Sequence, residues 1–461
     1  MGFGTIGVIM GMTPTRTAKT AAGKPVTLAI FEDLFGPSSE RPFALRLWDG
    51  SVEYLGVGYE AGFTLVLNRP GALRRMLLPP TDLALGEAYL RNDFDVEGDL
   101  EKATELADVL AARLRSPALL ARLARRLRRL PVDDVPEKAG DGPPTHLRGR
   151  LHSRKRDAVA VRSHYDVGNE FYALWLDGRM VYSCAYFETG EEDIHAAQEA
   201  KLDLICRKLR LEPGESLLDI GCGWGSLVLH AAERYGVRAT GITLSERQAN
   251  FARARIAEAG LADLCRIEVR DYRELPREAV FDKVVSVGMF EHVGRARLPT
   301  YFSQAYRLTR PGGLFLNHGI VALSSHPAPL RMLERPFSRR TSFIQRYVFP
   351  DGELVTPADV LRFAEAAGFE TRDVESLREH YALTLRRWVG RLEEHHDEAT
   401  IIAGENTYRV WRLYMSGSAR AFATGRIGVI QTLFGKNDGN GLSGLPLTRR
   451  DLYQPSARSK G

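Results

Sequence analysis

Short apolar runs that end in glycine or a polar turn, each followed by a stretch of helical spacing, recur along the second half of the chain. Leu217, Leu218 and Ile220 form one such run, and Gly221, Gly223 and Gly225 break it. This pattern predicts a buried parallel strand that opens into a tight turn. Residues 227–235 then carry a helical pattern. Residues 238–245 are apolar and β-branched and predict a second strand. Residues 281–287 predict another buried strand, and Pro311, Gly312 and Gly313 predict a turn into a strand over 314–318. Strands alternating with helices predict an α/β domain with a doubly wound sheet, whose ligands sit at the carboxyl ends of the strands.

The first part of the chain is patterned differently. Residues 43–48 alternate apolar and polar, Asp49 and Gly50 turn, and 63–67 form another strand, so the two pair in a small antiparallel sheet. Residues 71–78 and 83–89 read as helices, and 99–114 as one amphipathic helix. The stretch 27–130 is therefore a separate small domain without a catalytic cluster. Residues 1–26 read as a disordered start, with Met12 an alternative translation start. Residues 131–156 read as a linker, rich in Pro, Gly and Asp to residue 144, and the catalytic domain runs over 157–461.

Within 116–130, Leu119, Leu120, Leu123, Leu127 and Leu130 make a stripe at helical spacing, and five arginines cover much of the rest. Such a helix suits an anionic membrane surface. It equally suits packing on its own domain with solvated arginines. A second basic run, 146–156, continues that surface or ends a solvated linker. Neither run interleaves aromatics, so no nucleic-acid partner is expected.

Composition narrows the picture a little. With 461 residues, 44% hydrophobic and 26% charged, the chain is an ordinary globular protein of more than one domain. The net charge of +5 says little about partners. The four cysteines, Cys184, Cys206, Cys222 and Cys265, have no paired or metal-ligand spacing, which predicts no metal and suits a reduced compartment. No apolar run reaches the length of about 18 residues that spans a bilayer, and the first twelve residues lack a basic leader segment.

The candidate chemistry gathers on one predicted edge. The glycines let a backbone approach a ligand closely. Where a βαβ unit places its ribose-binding acid, this chain has Thr243 and Ser245, with Gln248 a turn further on. The strand at 281–287 runs into Glu291 and His292, the strand at 314–318 ends at His318, and Arg270, Asp271 and Tyr272 end another.

Four motifs in order make the pattern specific: Tyr-Ser-Cys-Ala-Tyr-Phe at 182–187, Asp-Ile-Gly-Cys-Gly-Trp-Gly at 219–225, Gly-Ile-Thr-Leu-Ser at 241–245 and Gly-Met-Phe-Glu-His-Val-Gly at 288–294. Together they resemble the cyclopropane-fatty-acyl-phospholipid synthases, over nearly the whole chain. The resemblance implies a Rossmann-like class I methyltransferase domain with inserted helices that roof an acyl-chain channel, preceded by a small α+β lipid-facing domain. It implies S-adenosylmethionine as cofactor. Tyr182 and Ser183 would contact its methionine end, Asp219, Gly221 and Gly223 would lie against it, Thr243, Leu244 and Gln248 would contact the ribose side, and Asp271 and Tyr272 would flank the adenine. It also implies a bicarbonate ion acting as base, held by Cys184, Glu291, His318, the Ile320 backbone and Tyr381.

The implied reaction transfers a methylene to the cis double bond of unsaturated acyl chains in membrane phospholipids, through a carbocation that bicarbonate deprotonates. An isolated alkene is a weak nucleophile, so positioning carries much of the rate, and the cation must be kept from water. Phe171, Tyr172, Trp175 and Phe290 would line the channel or simply pack the core. Related outcomes are a methyl- or methylene-branched product, or a non-catalytic lipid-binding protein of this fold. The expected setting is cytoplasmic, peripheral to the inner face of the membrane, with a homodimer among the assemblies allowed.

Overall fold

The computed structural model describes residues 16–37, 41–53, 62–132, 152, 153, 156, 157, 159, 167–276, 278, 280–323 and 342–453. The chain divides into two units, residues 1–141 and 142–461, so the boundary falls inside the expected linker.

In the first unit a helix, Arg16–Phe35, begins within the stretch read as disordered, and it buries Thr27, Ile30, Phe31 and Leu34. Strands β1 (Ala44–Arg46), β2 (Val52–Glu53), β3 (Phe63–Leu67) and β4 (Phe94–Gly98) form a sheet in the order β2-β1-β3-β4. The expected antiparallel pairing of β1 with β3 is wrong: those two run parallel, and β2 is the antiparallel neighbour of β1. The turn at Asp49 and Gly50 returns the chain at once to the near edge of β1, which leaves the other edge for β3. The single helix expected over 99–114 is two, Leu100–Ala103 and Glu105–Arg113. Thr104 at the joint turns its hydroxyl back onto the Glu101 carbonyl, 2.7 Å away, as threonines do where a helix yields.

The basic stripe forms the helix Pro117–Leu127, capped by the Ser116 hydroxyl. Leu119, Leu123, Leu127 and Leu130 are buried, and Arg122 and Arg126 each reach Asp33 at 3.2 Å. Four leucines of the stripe thus pack on the helix's own unit, while Leu120 stays exposed at 37%. Of the second basic run, Arg156 makes a two-pronged ion pair with Asp351. Residues 146–151, 154 and 155 lie outside the described residues.

The second unit is built on a seven-stranded sheet: β5 (Ser216–Ile220), β6 (Arg238–Thr243), β7 (Cys265–Val269), β8 (Phe281–Val287), β9 (Thr309–Ala322), β10 (Glu370–Ser376) and β11 (Ile427–Gly435). Their order is β10-β11-β9-β8-β5-β6-β7, parallel from β9 to β7, with β11 antiparallel to both neighbours. Alternate residues face opposite layers, as a strand's period demands. Leu217, Val285 and Leu316 pack under Leu202, Ile205 and Val228 from helices Ile194–Leu209 and Ser226–Tyr235. Leu218, Val284 and Phe315 pack on Phe302 and Val360 from helices Leu298–Leu308 and Pro357–Ala366. Three helices, Arg378–Glu394, His396–Ala403 and Glu405–Ala423, stand between β10 and β11 in the chain.

Strand order reverses beside β5, so a crevice opens at its carboxyl end. The expected turn at 311–313 is instead a bulge within β9, whose register against β8 slips between Thr309 and Leu314. Nor does β9 end at His318. Pairing with β11 carries it to Ala322. His318 still reaches the rim, because it stands opposite Val287, the last residue of β8.

Candidate active site

The turn after β5 is a cradle made by backbone conformation. Gly221, Gly223 and Gly225 have φ of +87°, +53° and +81°, values that suit glycine. The N–H groups of Gly221 and Cys222 both donate to the Ile242 carbonyl of β6, at 2.9 and 3.0 Å. The Trp224 indole donates to Asn169 at 2.9 Å, and so ties the turn to the segment that precedes it. Of the 165–170 motif, Tyr165 and Asp166 lie outside the described residues. A Cβ on Gly221 would fall 2.9 Å from the Met289 Cβ. Gly221→Ala is therefore expected to weaken cofactor binding by roughly ten-fold or more, through backbone strain and a pushed-out loop, as titration calorimetry would read it.

All ten residues expected at the cofactor line one cavity: Tyr182, Ser183, Asp219, Gly221, Gly223, Thr243, Leu244, Gln248, Asp271 and Tyr272. Their partners refine their roles. The Thr243 hydroxyl bonds the Gln248 amide oxygen at 2.9 Å. Ser245 caps the helix Glu246–Glu258 and does not line the cavity. The Asp271 carboxylate is gripped by the Arg273 guanidinium. Asp219 is buried, its Oδ1 has no hydrogen-bond partner among the described residues, and burial pushes its pKa up to about 7 against the pull of Lys201.

Lys201 escaped the sequence reading. Its ammonium is buried in the same wall and donates to the Ser183 hydroxyl at 2.8 Å. Burial brings its pKa down to about 8, opposed chiefly by Asp177. The available signal was the helix face that carries Ala197, Leu204 and Ile205, where Lys201 and Lys208 interrupt an otherwise apolar stripe two turns apart.

A second cavity adjoins the first and shares Tyr182, Ser183, Gly288 and His292 with it. Cys184, Glu291, His318, Ile320 and Tyr381 all line it. Glu291 sits on a single 3-10 turn, Phe290–His292, just past β8. Its Oε1 accepts the Ile320 N–H at 2.7 Å, so that N–H positions the carboxyl. Neither Glu291 Oε2 nor His318 Nε2 has a hydrogen-bond partner among the described residues, although both are buried. Burial raises the Glu291 pKa to about 7 and holds those of His292 (to about 4) and His318 well down. Burial likewise pushes the Cys184 thiol up, and the thiol donates to the Leu377 carbonyl at 3.7 Å. The Tyr381 ring lies 4.6 Å from that of Phe422.

Phe171, Tyr172, Trp175 and Phe290 do not line this cavity. The first three lie in a buried aromatic cluster with Tyr182 and Trp411. Beside Tyr182 and Tyr381, the cavity's aromatic walls are Phe349, Tyr414 and Phe422. They come from segments that sequence pattern does not bring near Glu291.

Residues 152–432 match the family described as mycolic acid cyclopropane synthetase, and residues 30–111 match a domain of unknown function. A probable fatty acid methyltransferase of Pseudomonas putida is 40% identical over 90% of this chain and 96% of its own length. Cyclopropane mycolic acid synthase 1 of Mycobacterium tuberculosis is 38% identical over 59% of this chain and 94% of its own. Among solved structures, a mycolic acid cyclopropane synthase complexed with SAH and CTAB superposes with a TM-score of 0.56 and 36% identity, covering 60% of this chain and 97% of that one.

Proposed function

Because the chain belongs to the mycolic acid cyclopropane synthetase family, with a Rossmann-like class I fold and S-adenosylmethionine-dependent methyltransferase activity, we propose that it is a cyclopropane fatty acid synthase. It would transfer a methylene to the cis double bond of unsaturated acyl chains in membrane phospholipids, with bicarbonate held beside the chain. The observation that carries this reading is the pair of buried, unpartnered atoms, Glu291 Oε2 and His318 Nε2, in a cavity adjoining the glycine cradle.

When bound, S-adenosylmethionine supplies an electrophilic methyl group and bicarbonate a small base. The chain's own residues fit both. Gly221 and Gly223 leave room for close backbone approach. Burial favours the protonated form of the Glu291 carboxyl, and its Oε1 already accepts from the Ile320 N–H. A proton on that carboxyl would sit on Oε2 and be offered to the cavity. A carboxyl beside an anion then attracts it, where two bare negative charges would repel. The Cys184 thiol keeps its proton. Phe349, Tyr414 and Phe422 line the cavity, where they would exclude water and stabilise a developing cation on the acyl chain.

Phospholipid acyl chains are presented at a bilayer, so this reading sets the enzyme at the inner membrane surface. Among the described residues no helix is long and apolar enough to cross a membrane. A second reading, transfer of a methyl group that leaves a branched chain, draws on the relative named a fatty acid methyltransferase, which this chain matches over nearly its whole length.

Mass spectrometry of lipid from a host that supplies monounsaturated phospholipids, with and without the protein, tests the proposal. A gain of about 14 mass units per modified chain is expected, one CH2 from the cofactor. Upfield cyclopropane protons by NMR are the expected product signature. Vinylidene or branched-methyl signals without ring protons would replace the proposal with the second reading, and unmodified lipid would overturn both.

A further inference from the structure

His318 faces the second cavity with Nε2, while its Nδ1 stands 3.1 Å from the side-chain nitrogen of Gln431 on β11. The other end of that amide is fixed. Lys208 Nζ, only 2% exposed, donates to Gln431 Oε1 at 2.8 Å. An ammonium has donors and no acceptor, so it must meet the amide oxygen. That leaves the amide nitrogen, a donor, for the histidine. Nδ1 must then accept, and the ring's single proton is forced onto Nε2. Lys208 is itself held by Glu375 on β10 and lies 3.9 Å from Asp373. Burial beside Lys201 and Lys208 keeps His318 neutral.

We infer that Lys208 and Gln431 are positioning residues that lock His318 in its Nε2–H tautomer, so that it offers a hydrogen-bond donor to an anion in the cavity. This deepens the proposed function and rests on its placing of bicarbonate beside His318. With the Oε2–H of Glu291, it would give the pocket two donors aimed at one small anion. The relay crosses four elements, from Glu375 on β10 through the helix Ile194–Leu209 and β11 to β9. No one of them would set the tautomer alone.

Nitrogen-15 NMR of the full-length protein labelled at histidine reads the tautomer directly, with the His318 signals assigned by their loss in His318→Gln. The wild type is expected to show a protonated Nε2 and an unprotonated Nδ1. Gln431→Glu keeps the shape but offers only acceptors, so Lys208 still bonds it and the proton is expected to move to Nδ1. Its turnover should fall by about 100-fold or more, with S-adenosylmethionine affinity changed less than about three-fold. Lys208→Arg keeps the donor and should keep the wild-type tautomer.

A wild-type signal with the proton on Nδ1 overturns the inference whether or not any variant folds. So does a Gln431→Glu spectrum with Nε2 protonated and Nδ1 still unprotonated. The tautomer is read without turnover. A wild-type Nε2–H that switches in Gln431→Glu, in an enzyme whose rate ignores added bicarbonate, would uphold the relay and sink the bicarbonate reading.

Discussion

Glu291→Gln is expected to lose about 10²- to 10⁴-fold in turnover while S-adenosylmethionine binds within about three-fold of the wild type. The substituted amide oxygen can still accept from the Ile320 N–H, so the 3-10 turn keeps its place. What changes is the atom at the position of Oε2. Beside the proposed anion a carboxyl there could serve as donor or acceptor, whereas an amide nitrogen can only donate. Single-turnover kinetics with calorimetric cofactor binding separate the two effects. Unchanged turnover would remove Glu291 from the reaction.

The same substitution has a signature in stability. The Glu291 pKa is raised to about 7 in the folded chain by burial, above the ordinary carboxylate value. The folded state therefore binds more protons than the unfolded one between roughly pH 4.5 and 7, and wild-type stability falls across that window as pH rises. Glutamine has no such titration. The stability of Glu291→Gln relative to wild type should climb through the window by up to about 3 kcal/mol and level off above it. Parallel denaturation curves at each pH would exclude the raised pKa.

Gly319→Ala is expected to be as damaging as the loss of Glu291, although residue 319 lines neither of the two cavities. A Cβ there would stand 1.9 Å from Phe290 Cε1 and 2.1 Å from its Cδ1. The ring is 2% exposed and belongs to the same buried cluster as Tyr301 and Phe302, so it has little room to move. Since Phe290 is the residue before Glu291, any shift that relieves the overlap drags the carboxyl off the Ile320 N–H. Overpacking of this kind costs about 1–3 kcal/mol, and the displaced carboxyl should lower turnover by about 10²-fold or more. Thermal melts and single-turnover rates together check it. A variant with wild-type rate and melting temperature would show that the ring can move freely.

Gly319 marks the limit of what the sequence reveals. Gly221, Gly223 and Gly225 were legible because a glycine cluster after an apolar run has a local cause, a turn with positive φ. Glu291 and His318 were legible because parallel strands deliver their carboxyl ends to one edge. The demand on Gly319 comes from a ring 29 residues away in sequence, and those on Lys208 and Gln431 from each other at a separation of 223. Neither distance leaves a periodicity to read. The leucine stripe of helix Pro117–Leu127 left its partner open, since an apolar face looks the same whether it covers a bilayer or a core. Asp33, which pairs with its arginines, lies on another helix. The pairing of β1 with β3 was misread because alternation identifies strands and not their neighbours.

The placement of β11 has a consequence for how the protein comes into being. Last of the strands among the described residues, it lies between β9 and β10, which were made earlier. A slot must therefore stay open in the growing sheet until β11 enters it. Contacts at such separation form late and slowly. The glycine cradle, built from β5 and β6, can be complete while that slot is vacant. Gln431 arrives only with β11, and the helix that carries Tyr414 and Phe422 leads directly into it. A nascent chain would acquire its methyl donor's seat first and the walls of the second cavity last, so that the two adjoining cavities are complete together only at the end.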